Sequence, residues 1–114
     1  MTPDDVQKLR EDCKIATAAL SRVTVDGYYP DYPSEIEGFM ESLSESPWYV
    51  ADYSPDVAMA VESNLKTADL KDIFTLLTYY CRSERFSDGA WLRILKEDKI
   101  APIISRLECL LESS

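Results

Sequence analysis

Histidine is absent from this 114-residue chain, which excludes Ser-His-Asp and Cys-His catalysis and removes the commonest zinc ligand sets. Glycine occurs three times, at Gly27, Gly38 and Gly89, always singly, so no glycine-rich loop is present to cradle a phosphate. Neither an EF-hand spacing nor an H-E-x-x-H helix occurs, and no metal or cofactor is expected. The three cysteines, Cys13, Cys81 and Cys109, stand far apart with no C-x-x-C pair. An odd count, together with no secretory or transit pattern at the N-terminus, points to a reducing cytoplasm. Each thiol falls inside an apolar helical pattern and is expected to be buried. No apolar run approaches the roughly 18 residues of a membrane span, so no membrane partner is expected. From Val23 to Leu65 there is no Lys or Arg at all.

What that cation-free stretch contains is acid, nine Asp or Glu, whereas Thr67 to Ser114 carries eight acids against seven bases. The net charge is −9. Such a field repels phosphate, which disfavours direct nucleic-acid binding and favours a basic protein partner. The plainer reading is that the charge keeps a small protein in solution. Hydrophobic residues at 46% and charged residues at 29% exclude wholesale disorder. At this length residues 1–114 are expected to form one domain, able to bury roughly two thirds of its unfolded surface without a disulfide or metal staple.

The periodicity is helical throughout. Thr2 as cap, Pro3 at the first helical position and Asp4 and Asp5 in the first turn begin a helix predicted to run to Val23, with Val6, Leu9, Cys13, Ala16, Leu20 and Val23 as its apolar stripe. Thr24 to Pro33 breaks that period with one Gly and two Pro and reads as an aromatic-rich loop or short extended segment. Ser34 to Glu45 resumes helical spacing through Ile36, Phe39, Met40 and Leu43, weakened by Gly38. Ser54-Pro55-Asp56 opens a short helix whose inward face is expected at Val57, Val61 and Leu65. Thr67 or Asp69 caps a central helix with the widest apolar face, Leu70, Ile73, Phe74, Leu77, Tyr80 and Cys81. Ser87-Asp88-Gly89 can cap a fifth helix bearing Trp91, Leu92, Ile94 and Leu95. A last helix from about Ala101 carries Ile103, Ile104, Leu107, Leu110 and Leu111. No segment alternates like a strand, and the Asp26-Gly27 and Asp88-Gly89 pairs lack the flanks of a hairpin. The expected fold is an all-α bundle of five to six helices, without internal repeats.

Two clusters are candidate sites. Arg82-Ser83-Glu84-Arg85-Phe86-Ser87-Asp88-Gly89-Ala90-Trp91 packs four charges, two aromatics and a glycine into ten residues, more than a connector needs. Either Glu84, Arg85 and Asp88 lock the turn while Phe86 and Trp91 fill the core, or Arg82 and Arg85 present a fork to an anionic ligand with Glu84 and Asp88 beside them. The second cluster interleaves Tyr28, Tyr29, Tyr32, Trp48, Tyr49 and Tyr53 with Asp26, Asp31 and Asp52. Large rigid rings with one polar tip suit a protein interface, and they equally suit covering the ends of a small core. Glu35 with Glu37, and Asp52 with Asp56, are nominal carboxylate pairs with nothing to fix their geometry, so catalysis is not favoured.

The run Leu76-Leu77-Thr78, then Arg82-x-Glu84-Arg85-Phe86-x-Asp88-Gly89, then Ile100 and a leucine-rich terminal helix resembles a family of small bacterial proteins catalogued only as a domain of unknown function. The Tyr28-Tyr29 turn, the helix after it and Trp48-Tyr49 follow in the same order as that family's aromatic N-terminal half. Lys99 stands where a glycine is expected. The resemblance implies one compact bacterial domain and no particular reaction or ligand. With charge and rings added, the expected activity is binding of another protein, as an inhibitor or immunity factor binds a basic enzyme. Two alternatives are an anionic-ligand or catalytic site at Arg82, Glu84, Arg85 and Asp88, and a structural homodimer through the first or last helix.

Overall fold

Thr2 begins the first helix as its sequence predicts: its hydroxyl accepts the Asp5 N–H, and the Asp5 carboxylate accepts the Thr2 N–H at 2.8 Å. The computed structural model describes residues 2–26, 29–45, 50, 52–85 and 89–112, with Asp26, Tyr29, Ser44, Glu45 and Arg85 through their backbone alone. Helix α1 spans Pro3–Ala18 and buries Val6, Leu9, Cys13 and Ala16. The α-helix stops five residues short of the predicted Val23, because the chain tightens into a 3₁₀ turn over Ala19–Arg22. With three residues per turn the inward position moves to Ala19, and Leu20 and Val23 are left half-buried.

Strands β1 (Thr24–Asp26) and β2 (Tyr29–Asp31) then pair antiparallel, Thr24 with Asp31, Val25 with Pro30 and Asp26 with Tyr29. This corrects the expectation that no hairpin forms at Asp26-Gly27. Strands of three residues are too short to display the alternation by which a strand is recognised.

Helix α2 (Ser34–Glu45) buries Ile36, Phe39, Met40 and Leu43 as expected. Helix α3 (Pro55–Ser63) starts at Ser54, whose hydroxyl accepts the Val57 N–H, and a 3₁₀ turn over Leu65–Thr67 follows. Helix α4 (Leu70–Arg82) is capped reciprocally by Asp69 and Asp72 and buries Ile73, Leu76, Leu77, Tyr80 and Cys81. Helices α5 (Ala90–Lys96) and α6 (Ile100–Glu112) complete the chain. Six α-helices among the described residues, with one small ladder, make an all-α bundle.

The core is organised around α4, which packs on α2, α3, α5 and α6, while α1 lies against α2 and α6. Its two buried threonine hydroxyls are satisfied, Thr75 donating to the Lys71 carbonyl and Thr78 to that of Phe74 while accepting the Val50 N–H. Arg106 on α6 donates Nε to the Ala68 carbonyl at 2.8 Å, fastening the last helix to the turn before α4.

Candidate functional site

The cation-free stretch maps onto β1, β2, α2 and α3, of which α2 and α3 each pack on α4. Asp31, Glu37, Glu41, Asp52, Asp56 and Glu62 are exposed, whereas Glu35 is half-buried and pairs with Arg22. Of the rings assigned to this surface, Tyr32 and Tyr53 are half-buried. Tyr32 packs on Trp91 with centroids 5.5 Å apart; Tyr53 lies 6.2 Å from Tyr79 and beneath the Arg82 guanidinium at 5.9 Å. Asp26 and Tyr29 are placed by their backbone in the ladder. Tyr28, Trp48 and Tyr49 lie outside the described residues.

Val57 lies elsewhere than its spacing predicts. It was expected to face inward with Val61 and Leu65, yet it is 49% exposed, and Met59 is 59% exposed. The nine-residue α3 buries only Ala58 and Val61; its other side chains are exposed, Glu62 among them although it accepts a hydrogen bond from Tyr80 on α4. A four-residue spacing alone does not say which of two adjacent stripes a short helix buries, and here the narrower Ala58 lets α3 approach α4 closely. The result is two exposed apolar side chains, Val57 and Met59, about 160° apart around α3 and so on either side of its buried stripe; Asp56 is exposed on the same helix and Asp52 just before it, while Glu62 turns toward Tyr80.

The charged segment after α4 is organised by Glu84. It sits in a 3₁₀ turn, Ser83–Arg85, that follows α4 directly. One carboxylate oxygen accepts the Tyr32 hydroxyl at 2.7 Å and the Trp91 N–H at 3.0 Å; the other accepts the Gly89 N–H at 2.6 Å. Glu84 thus satisfies amides at the start of α5, where a negative charge is also favoured by the helix dipole. The Tyr32 hydroxyl in turn accepts the Leu92 N–H at 3.3 Å, and Trp91 Nε1 donates to the Cys81 carbonyl at 3.1 Å. Burial, then the hydrogen bond to Glu84 and its charge, push the Tyr32 phenol upward from its ordinary pKa. Of the set assigned to an anionic ligand, Glu84 is therefore engaged within the chain and Arg82 lies over Tyr53. Arg85 is described through its backbone, and Asp88 lies outside the described residues.

A cleft of about 300 Å³ opens between α3, α4 and α5. Met59 and Glu62 line one wall, Tyr79 and Tyr80 another, and Arg93, Glu97 and Lys99 the third. Tyr80 donates its hydroxyl to one oxygen of Glu62, while Lys99 Nζ stands 3.5 Å from the other oxygen of Glu62 and 3.5 Å from Glu97. Burial is the first cause that raises the Tyr80 phenol pKa, with the Glu62 hydrogen bond second. Nothing in the sequence joined these residues, which come together across a span from position 59 to 99.

Cys13 and Cys81 are buried but Cys109 is exposed, which corrects the expectation of three buried thiols. Cys109 lies two residues beyond the buried Leu107, on the outer side of α6. Among the described residues no three His, Cys, Asp or Glu are grouped to hold a metal ion, and no helix is long and apolar enough to cross a membrane.

A family model described as "Family of unknown function (DUF6508)" matches residues 24–113. No curated protein matches the chain, and no solved structure does.

Proposed function

The chain belongs to that family of unknown function, and we propose that it is a small acidic bacterial protein of the cytoplasm that acts by binding another protein with a basic surface, in the manner of an inhibitor or immunity factor. Residues 1–114 act as one helical domain, without a cofactor and without contact to nucleic acid. The observation that carries this reading is the outer side of α3. Two large apolar side chains, Val57 and Met59, are left in solvent on either side of α3, with Asp52 and Asp56 also exposed, within a stretch that has no Lys or Arg. Exposed apolar side chains interleaved with like charges suit a docking surface: the apolar groups contribute to affinity, and the acids steer a cationic partner and set the salt dependence. Asp31, on β2, is exposed as well.

The anionic-ligand reading is less well supported, because both oxygens of Glu84 already accept hydrogen bonds from Tyr32, Gly89 and Trp91. The test is a quantitative capture from the native cell, comparing the wild type with a variant carrying Asp31→Asn, Asp52→Asn, Asp56→Asn and Met59→Ser. A basic protein held by the wild type and lost from the variant is the expected result. Equal recovery of every captured protein by both would reject this face.

A further inference from the structure

The cleft beside α3 already holds a cation that belongs to the chain itself. Lys99 Nζ stands 3.5 Å from Glu62 and 3.5 Å from Glu97. Those distances suit an ion pair but exceed the 2.7–2.9 Å of a close charge-assisted hydrogen bond. All three side chains are partly exposed, at 34%, 38% and 59%, so exchange of this lysine for another cation requires no opening of the core. The Glu62 carboxylate is held independently of Lys99, because buried Tyr80 donates to its other oxygen. Half-buried Tyr79 offers a ring on the same lining, and exposed Met59 stands at the rim. A carboxylate fixed in position, an aromatic face and an apolar edge for a methylene stem match a guanidinium more closely than an ammonium, since arginine stacks on rings and pairs carboxylates in a fork.

We propose that this cleft between α3, α4 and α5 receives an arginine side chain of the basic partner, which displaces Lys99 from Glu62 and Glu97, so that Lys99 acts as an internal competitor setting the affinity. This inference rests on the docking reading of α3 and names the partner chemistry at its edge.

The test uses an oligo-arginine peptide and an oligo-lysine peptide of equal length, titrated at low salt into the full chain and its variants. Lys99→Gln is expected to bind the arginine peptide about two- to fivefold more tightly than wild type, the scale set by one exposed ion pair. Glu62→Gln and Glu97→Gln are expected to bind it more weakly, and the arginine peptide is expected to outbind the lysine peptide. Lys8→Gln on α1 changes the net charge equally and is the control. If Lys8→Gln matches Lys99→Gln, the gain is general electrostatics and the internal competitor is overturned. In that case loss of binding in Asp52→Asn/Asp56→Asn would leave the α3 docking face intact. If binding is unchanged by Asp52→Asn/Asp56→Asn, by Glu62→Gln and by Lys99→Gln, both the cleft and the docking face are rejected.

Discussion

Replacing Glu84 by Ala should destabilise the fold far more than a half-buried surface acid ordinarily does. The side chain accepts three hydrogen bonds, from the Tyr32 hydroxyl at 2.7 Å, the Gly89 N–H at 2.6 Å and the Trp91 N–H at 3.0 Å. The two amides belong to the start of α5, where loss of a capping acceptor costs about 1 kcal/mol. The phenol adds about 1.5–3 kcal/mol for a hydrogen bond to a charged acceptor. The expected loss is therefore about 2–4 kcal/mol, read as a fall in the urea midpoint at constant m value. Glu84→Gln retains acceptor capacity on one oxygen only and should fall between wild type and Ala. Crossed with Tyr32→Phe, Glu84→Gln should show a coupling of about 0.5–1.5 kcal/mol, because the two side chains touch. A Glu84→Ala change below about 0.5 kcal/mol, the size of an ordinary surface substitution, would refute the assignment of this residue as the brace between the ladder, α4 and α5.

Two glycines should respond in opposite directions. Gly89 sits at φ 84° with Pro30 Cγ 4.0 Å from an added Cβ, so Gly89→Ala meets no clash but should cost about 1–2 kcal/mol of left-handed backbone strain. Gly38 lies inside α2 with nothing within 4 Å of an added Cβ, and Gly38→Ala should stabilise by about 0.5–1 kcal/mol in the same urea assay. The Tyr32 and Tyr80 phenols are raised in the folded state, chiefly by burial. Above about pH 10 the unfolded chain loses protons that the folded chain keeps, so stability should be level below that pH and fall above it. Tyr80→Phe should flatten the slope of urea midpoint against pH. In thiol alkylation, exposed Cys109 should react first, with Cys13 and Cys81 protected until unfolding and Cys13 further slowed by a thiol pKa that burial raises.

The elements that were legible in the sequence carry local signatures. Thr2-Pro3-x-Asp5, Ser54-Pro55-Asp56 and Asp69 with Asp72 are caps whose partners lie three residues away, and α1, α3 and α4 begin where these caps place them. The inward set of α2, and Ile73, Leu77, Tyr80 and Cys81 on α4, follow from 3.6-residue spacing over a dozen residues, whereas Leu70 and Phe74 are half-buried and Leu76 takes an inward place that was not expected of it. What stayed hidden depends on partners distant in the chain. Tyr32 meets Glu84 across 52 residues and Tyr80 meets Glu62 across 18. No spacing rule links such positions, so Glu84 could be seen as part of a charged turn but not as the acceptor of three donors. Val57 and Cys109 failed for a related reason. On helices of nine and thirteen residues at the edge of a small core, the buried stripe is narrow, and apolar character does not decide whether a flanking side chain reaches it. The ladder was missed because its strands are three residues long.

The most direct test of docking through the acidic flank is amide chemical-shift mapping of the labelled protein during titration with its captured partner. Shifts and line broadening concentrated at Asp31 and from Asp52 to Glu62, weakened by added salt, are the expected result. Perturbations confined to the α1 and α6 surface, with α3 unmoved, would contradict it.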